Sequence, residues 1–216
     1  MKFKIVEKQA WKGRGTEINA YLCNCKTIRM ENRKRIMAKE NHEKKEIALL
    51  FICLGNICRS PAAHAIMQRD VDEAGLSDRF FIDSAGIGPW HVGDLPDRRM
   101  RQHGAQRGLD ISHIARQFNA KTDFHTFDCI VVMDEDNYRA IASKASSEAD
   151  REKIIRMSDY LLDHPAAHSV PDPYYGDGSD FELALDLIED GCRHLLAAII
   201  NKEEKRIKKE DGLAVD

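Results

Sequence analysis

From Ile47 onward the chain alternates short apolar runs with segments of helical period. Ile47-Ala-Leu-Leu-Phe-Ile-Cys53 is continuously apolar over strand length, which suits a strand buried on both faces of a parallel sheet. Leu54 to Ser60 is a polar turn, with Ser60 as N-cap and Pro61 as first residue of a helix over Ala62 to Ala74 that Gly75 ends. Phe80 to Asp83 predicts a second strand, entering a Gly-rich turn at Ser84 to Gly88. Met100 to Arg107 predicts a helix stopped by Gly108. Cys129 to Met133 is a third buried strand with a helix from Glu135 to Ser143, and Lys153 to Arg156 a fourth strand. Apolar positions at Phe181, Leu185, Ile188, Leu195 and Leu196 mark a long amphipathic helix over Phe181 to Ile200. Strands alternating with helices imply an α/β layer fold, an open and mostly parallel four-stranded sheet with helices on both faces. Ligands in such folds sit beyond the carboxyl ends of the strands, where strand order reverses.

The charge pattern sets this body apart from what precedes it. Residues 1–46 carry 13 Lys and Arg against 6 Glu, whereas the other 170 residues carry 20 Lys and Arg against 30 acids. The basic segment shows no sustained period and is expected to be a solvated, poorly ordered extension, followed by one domain over residues 47–200 and a charged tail over 201–216. Its basic residues form no single face, so no nucleic-acid partner is expected. No apolar stretch reaches membrane-spanning length, and Met1 to Ala20 lacks an export signal. The six cysteines then read as thiols of a reducing, cytoplasmic compartment rather than as a disulfide framework. A monomer is expected.

Cys53 and Arg59 bracket the turn after the first strand. A loop that wraps a tetrahedral oxyanion must turn backbone N–H groups inward, and Gly55 allows the dihedrals this requires. The helix that follows directs free N–H groups and its positive dipole end at the same anion. These features favour the thiolate of Cys53, the form that attacks phosphorus. Arg59 can clamp two phosphoryl oxygens as a fork, which Lys cannot. A second pair at the same spacing, Cys23 and Arg29, lacks the intervening glycine, the following hydroxyl and a preceding buried strand, and is a decoy.

Cys53-Leu-Gly-Asn-Ile-Cys-Arg-Ser-Pro61 resembles the signature of the low-molecular-weight protein tyrosine phosphatases. Further blocks agree in order: Asp83-Ser-Ala-Gly86, Trp90-His-Val-Gly93, Pro96 to Met100, Ser112 to Arg116, Met133-Asp-Glu135 and Pro171 to Gly176. The resemblance spans Ile47 to Leu196 and implies a phosphatase that hydrolyses phosphotyrosine in proteins. It implies Cys53 as the nucleophile that forms a phosphocysteine, Arg59 as phosphate clamp and Asp172 as general acid. Leu54, Gly55, Asn56, Ile57, Cys58 and Ser60 would form the substrate loop, Asn56 and Ser84 would support it, and Ser60 would assist the thiolate. Trp90, Tyr174 and Tyr175 would wall an aromatic substrate, and Cys58 would protect Cys53 against over-oxidation. The residues alone leave Asp172 open, since Pro171-Asp-Pro173 suits a plain turn as well as an aimed acid.

No cofactor and no metal are expected, because His91, His103 and His113 show no clustered ligand spacing. Ile87, Pro89 and His64 depart from common residues of the family at positions that touch loop geometry rather than chemistry. Arsenate reduction on the same fold would need a close downstream thiol pair, whereas Cys129 and Cys192 are far apart. Phosphoarginine hydrolysis is a second alternative, in which a Thr commonly takes the place of Ile57. A non-catalytic phosphate-binding module is the third.

Overall fold

The computed structural model describes residues 46–210, so the basic extension and the Cys23–Arg29 pair lie outside the described residues. Four strands, β1 (Ile47–Cys53), β2 (Phe80–Gly86), β3 (Cys129–Val132) and β4 (Ile154–Arg156), form a single sheet in the order β2-β1-β3-β4. Every pairing is parallel, with Cys53 opposite Gly86 and Ile52 opposite Val132. The helices are α1 (Arg59–Glu73), α2 (Arg98–Gln106), α3 (Asp123–Thr126), α4 (Glu135–Ala142), α5 (Glu148–Glu152) and α6 (Gly178–Glu210), with 3-10 turns at Ser77–Arg79 and Met157–Tyr160.

All seven residues of β1 are buried, as its unbroken apolar run requires. Their side chains alternate between two cores. Leu49, Phe51 and Cys53 join Ile66 and Met67 of α1 and Leu185, Ile188 and Cys192 of α6. Ala48, Leu50 and Ile52 face Phe118, Phe124, Phe127 and Ile141 on the opposite side. Helices therefore cover both faces, and the chain steps from β1 out to β2 and back across to β3. The reversal of strand order falls beside the carboxyl end of β1, where Cys53 stands.

Of the boundaries that differ from expectation, three have a clear physical reason. Helix α1 begins at Arg59, with Cys58 at its N-cap and no side-chain cap. Ser60 does not cap because its hydroxyl is turned into the protein, against Cys53, Asn56 and the Ala85 carbonyl. Strand β2 continues through Ser84 to Gly86 instead of turning at Ser84, because each residue to Gly86 pairs with β1. Helix α6 runs on through Glu210, so the charged stretch from Asn201 extends the helix and does not leave it as a tail. Lys, Glu and Arg are strong helix formers, and Arg206 pairs with Glu203 one turn back at 2.9 Å. Gly75 ends α1 as expected, at a φ of 67° that favours glycine.

Candidate active site

The loop between β1 and α1 is held by its carbonyls. Cys53 O accepts from Ile87 N at 3.0 Å, Leu54 O from Gly88 N at 3.0 Å, Ile57 O from Asp97 N at 2.8 Å and Cys58 O from Ala62 N at 3.2 Å. In a trans peptide the N–H points opposite to the carbonyl, so the N–H groups of Leu54, Gly55, Cys58 and Arg59 are left for the other side of the loop. Asn56 makes the tight turn with a φ of 59°, a left-handed conformation that Asn tolerates. Its amide nitrogen donates to Ser60 Oγ and to Ser84 Oγ, each at 2.9 Å, and its Oδ1 accepts from the Arg116 N–H at 2.9 Å. Gly86 lies hard against this turn: a Cβ there would stand 2.9 Å from the Gly55 carbonyl carbon and 3.1 Å from Asn56 N.

Cys53 Sγ lies 3.1 Å from Ser60 Oγ, close enough for the hydroxyl to donate to a thiolate. Arg59 is 2% exposed. Its Nη1 donates to Asp134 Oδ2 at 2.5 Å and to the Val170 carbonyl at 3.1 Å, while Nη2 donates to Asp172 Oδ2 at 2.7 Å. Nε is buried with no partner, so its N–H is a donor of the guanidinium left uncommitted. Burial alone would lower the Arg59 pKa, but the charges of Cys53 and Asp172 and the bond to Asp134 hold it above its ordinary value. Burial also pushes the Cys58 thiol well up, reinforced by the charges on Cys53, Asp97 and Asp172. Cys58 therefore stays protonated beside Cys53.

A cleft of about 300 Å³ opens over the loop, lined by Cys53, Leu54, Gly55, Ile57, Cys58, Trp90, His91, Asp172, Tyr174 and Tyr175. Tyr174 and Tyr175 meet edge to face at 4.9 Å, and Arg99 holds the Tyr174 carbonyl at 2.9 Å. Tyr175 and Trp90 are largely exposed, so both offer ring faces to an incoming group. Asp172 is brought here by the N–H of Val170, which bonds the Met133 carbonyl at the end of β3.

Most residues singled out from the sequence thus converge on one cleft. The side chains of Asn56 and Ser60, expected to touch substrate, are fully buried and do not line it; like Ser84 they brace the loop from below. Cys129 and Cys192 are absent from the lining. Two residues were missed. Asp134 grips Arg59, and its signal was an acid just past the carboxyl end of a strand adjoining β1. His91 joins the wall beside Gly55 and Tyr174; its signal was its place next to Trp90, already expected in that wall.

The family model for the low molecular weight phosphotyrosine protein phosphatases matches residues 48–209. The chain belongs to that family. A low molecular weight phosphotyrosine protein phosphatase of Schizosaccharomyces pombe is 43% identical over 156 residues, covering 72% of this chain and 98% of the relative. Among solved structures, a protein tyrosine phosphatase of Entamoeba histolytica superposes with a TM-score of 0.67 at 37% identity, covering 78% of this chain and 100% of that one. YfkJ of Bacillus subtilis gives a TM-score of 0.68 at 38% identity, covering 73% and 97%. This family member is a hydrolase, a cysteine-dependent protein tyrosine phosphatase acting on phosphoproteins. Among the described residues, no helix is long and apolar enough to cross a membrane.

Proposed function

We propose that Cys53 attacks the phosphorus of a phosphotyrosine ester in line with the departing phenolate, and that Asp172 delivers the proton this leaving group needs. Sγ gains the phosphoryl group as the P–O bond to the ring oxygen breaks, giving a phosphocysteine. Asp172, now ionised, then takes a proton from water as the oxygen of that water attacks phosphorus, and the S–P bond breaks to return the thiolate and inorganic phosphate. The N–H groups of the loop, the unpartnered Nε of Arg59 and the N-terminus of α1 stabilise the charge on the transferring oxygens. Ser60 steadies the thiolate, while Asn56 and Ser84 keep the loop in shape. Trp90, Tyr174 and Tyr175 hold the substrate ring.

The observation that carries this reading is the bond of the buried Arg59 to Asp172, which lines the same aromatic-walled cleft as Cys53. Ile57 in the lining favours phosphotyrosine over phosphoarginine, and a lining without Cys129 and Cys192 disfavours a thiol relay for arsenate. Parallel turnover assays with a phosphotyrosine peptide, a phosphoarginine peptide and arsenate with a thiol reductant test it. Hydrolysis confined to phosphotyrosine, abolished in Cys53→Ser with phosphate binding retained, is expected; substantial turnover by Cys53→Ser would overturn the mechanism.

Cys58 serves in this reading as the protecting thiol. Peroxide oxidises the Cys53 thiolate to a sulfenic acid; Cys58 displaces its hydroxyl, water leaves and a disulfide forms. Peroxide-treated protein should recover with dithiothreitol, and Cys58→Ser should recover much less. Equal recovery would assign Cys58 to packing alone.

A further inference from the structure

Outside the cleft lining, three residues from separate elements meet: His64 on α1, Asp83 on β2 and His113 in the segment after α2. Each offers one ligand atom, and these atoms lie within 4.8 Å of one another. His64 Nδ1 and His113 Nε2 are both buried and have no hydrogen-bond partner. Buried ring nitrogens are rarely left so. The rings stand 5.3 Å apart at 57°, too tilted to stack.

Their surroundings orient them. Asp83 Oδ2 accepts from Arg116 Nε at 2.8 Å, and Oδ1 lies 3.8 Å from His113 Nδ1 while accepting from the Ser84 N–H at 2.7 Å. His113 is itself held by the backbone of Ser84. A cavity of about 520 Å³ opens alongside, with His64, His113, Gln68, Asp72, Asp110 and Ser112 among its lining residues.

We propose that His64, Asp83 and His113 bind a divalent transition-metal cation of the zinc type, with solvent from the adjoining cavity completing its coordination. Two imidazole nitrogens and a carboxylate oxygen suit such a cation, whereas Mg²⁺ and Ca²⁺ require more oxygen ligands. Bonds of about 2.0–2.2 Å place ligand atoms about 3.5 Å apart, so the side chains must close in by about 1 Å on loading. Arg116 and the Ser84 backbone supply the outer bonds that fix the orientation of Asp83 and His113. The occupied site would tie α1 to the strand that carries Ser84, whose hydroxyl anchors Asn56. The expectation of no metal rested on spacing along the chain, which does not register residues that only the fold assembles.

Co²⁺ titration of the full chain carrying Cys53→Ser tests this without the active-site thiol. One equivalent should bind with visible ligand-field bands and no near-ultraviolet sulfur charge transfer, and should raise the melting temperature. His64→Ala and His113→Gln should each weaken that binding at least about tenfold. Any cobalt taken by the remaining cysteines, Cys23 and Cys25 included, would carry the sulfur bands and persist in both variants. Should His113→Gln fail to fold, His64→Ala decides alone. Absence of a sulfur-free cobalt species, or its persistence in His64→Ala, would overturn the proposal and leave the two nitrogens bridged by water.

Discussion

Arg59 Nη2 donates to Asp172 Oδ2 at 2.7 Å, across 113 positions of chain. The pair joins the start of α1 to the segment that follows β4, and the same guanidinium holds the Val170 carbonyl two residues before the acid. A carboxylate held by a cation loses freedom to turn, which suits the proton delivery proposed for Asp172.

Asp172→Asn removes the proton while keeping an acceptor for Arg59. Turnover of phosphotyrosine should fall about 10²–10⁴-fold, and that of p-nitrophenyl phosphate less, because p-nitrophenolate departs unprotonated. A series of aryl phosphates with graded leaving groups checks this; equal losses across the series would reduce Asp172 to a turn residue.

Asp134→Asn isolates the grip on Arg59. Asp134 also caps α4 through Oδ1, which accepts from Asn137 N at 2.7 Å, and Asn retains that cap. A hydrogen bond to a charged group contributes roughly 1.5–3 kcal/mol, so kcat/KM and the affinity for inorganic phosphate should both fall about 10–100-fold. The melting temperature should change little. Unaltered phosphate inhibition would show that Asp172 and Val170 position Arg59 unaided.

Gly86→Ala should damage activity more than stability. The new Cβ would press on the Gly55 and Asn56 backbone, which cannot swing aside as a side chain would. Kinetics together with a thermal melt separate the effects; normal kcat would mean that the loop tolerates displacement.

Asp190 is 1% exposed on α6 and accepts from the N–H groups of Asp163 and His164 and from the rings of His164 and His194. Burial would raise its pKa, but these bonds overcome it and hold the carboxyl below its ordinary 3.8. A depressed acid stabilises fully above the unfolded value and loses its contribution as pH falls through the folded one. Urea midpoints should therefore drop below about pH 4. Asp190→Asn should flatten that acid limb and lower stability at neutral pH; an unchanged acid limb would exclude Asp190 from the effect.

Deleting residues 1–45 should leave kcat and KM nearly unchanged, since the described residues from Ile47 onward already supply the cleft lining and two cores. Steady-state kinetics of the truncated and full chains settle it; a collapse of kcat with folding intact would place part of the site in the extension.

The strands, most helices and the phosphate loop were legible because their signals are local. Seven apolar residues in a row declare a doubly buried strand, and Cys53, Gly55, Asn56 and Arg59 lie within a single turn of chain. The start of α1 was misplaced because Ser60 is a good cap by composition, whereas the fold needs its hydroxyl beneath Cys53. The sequence by itself determined the thiol and the fork-shaped cation of the loop, Cys53 and Arg59, and left Asp172 open between a turn residue and an acid. The tertiary structure alone decided which groups act together. Asp134 reaches Arg59, His91 reaches the cleft, and His64 and His113 face each other because parallel crossovers return distant segments to the same end of the sheet, and sequence distance does not measure that return.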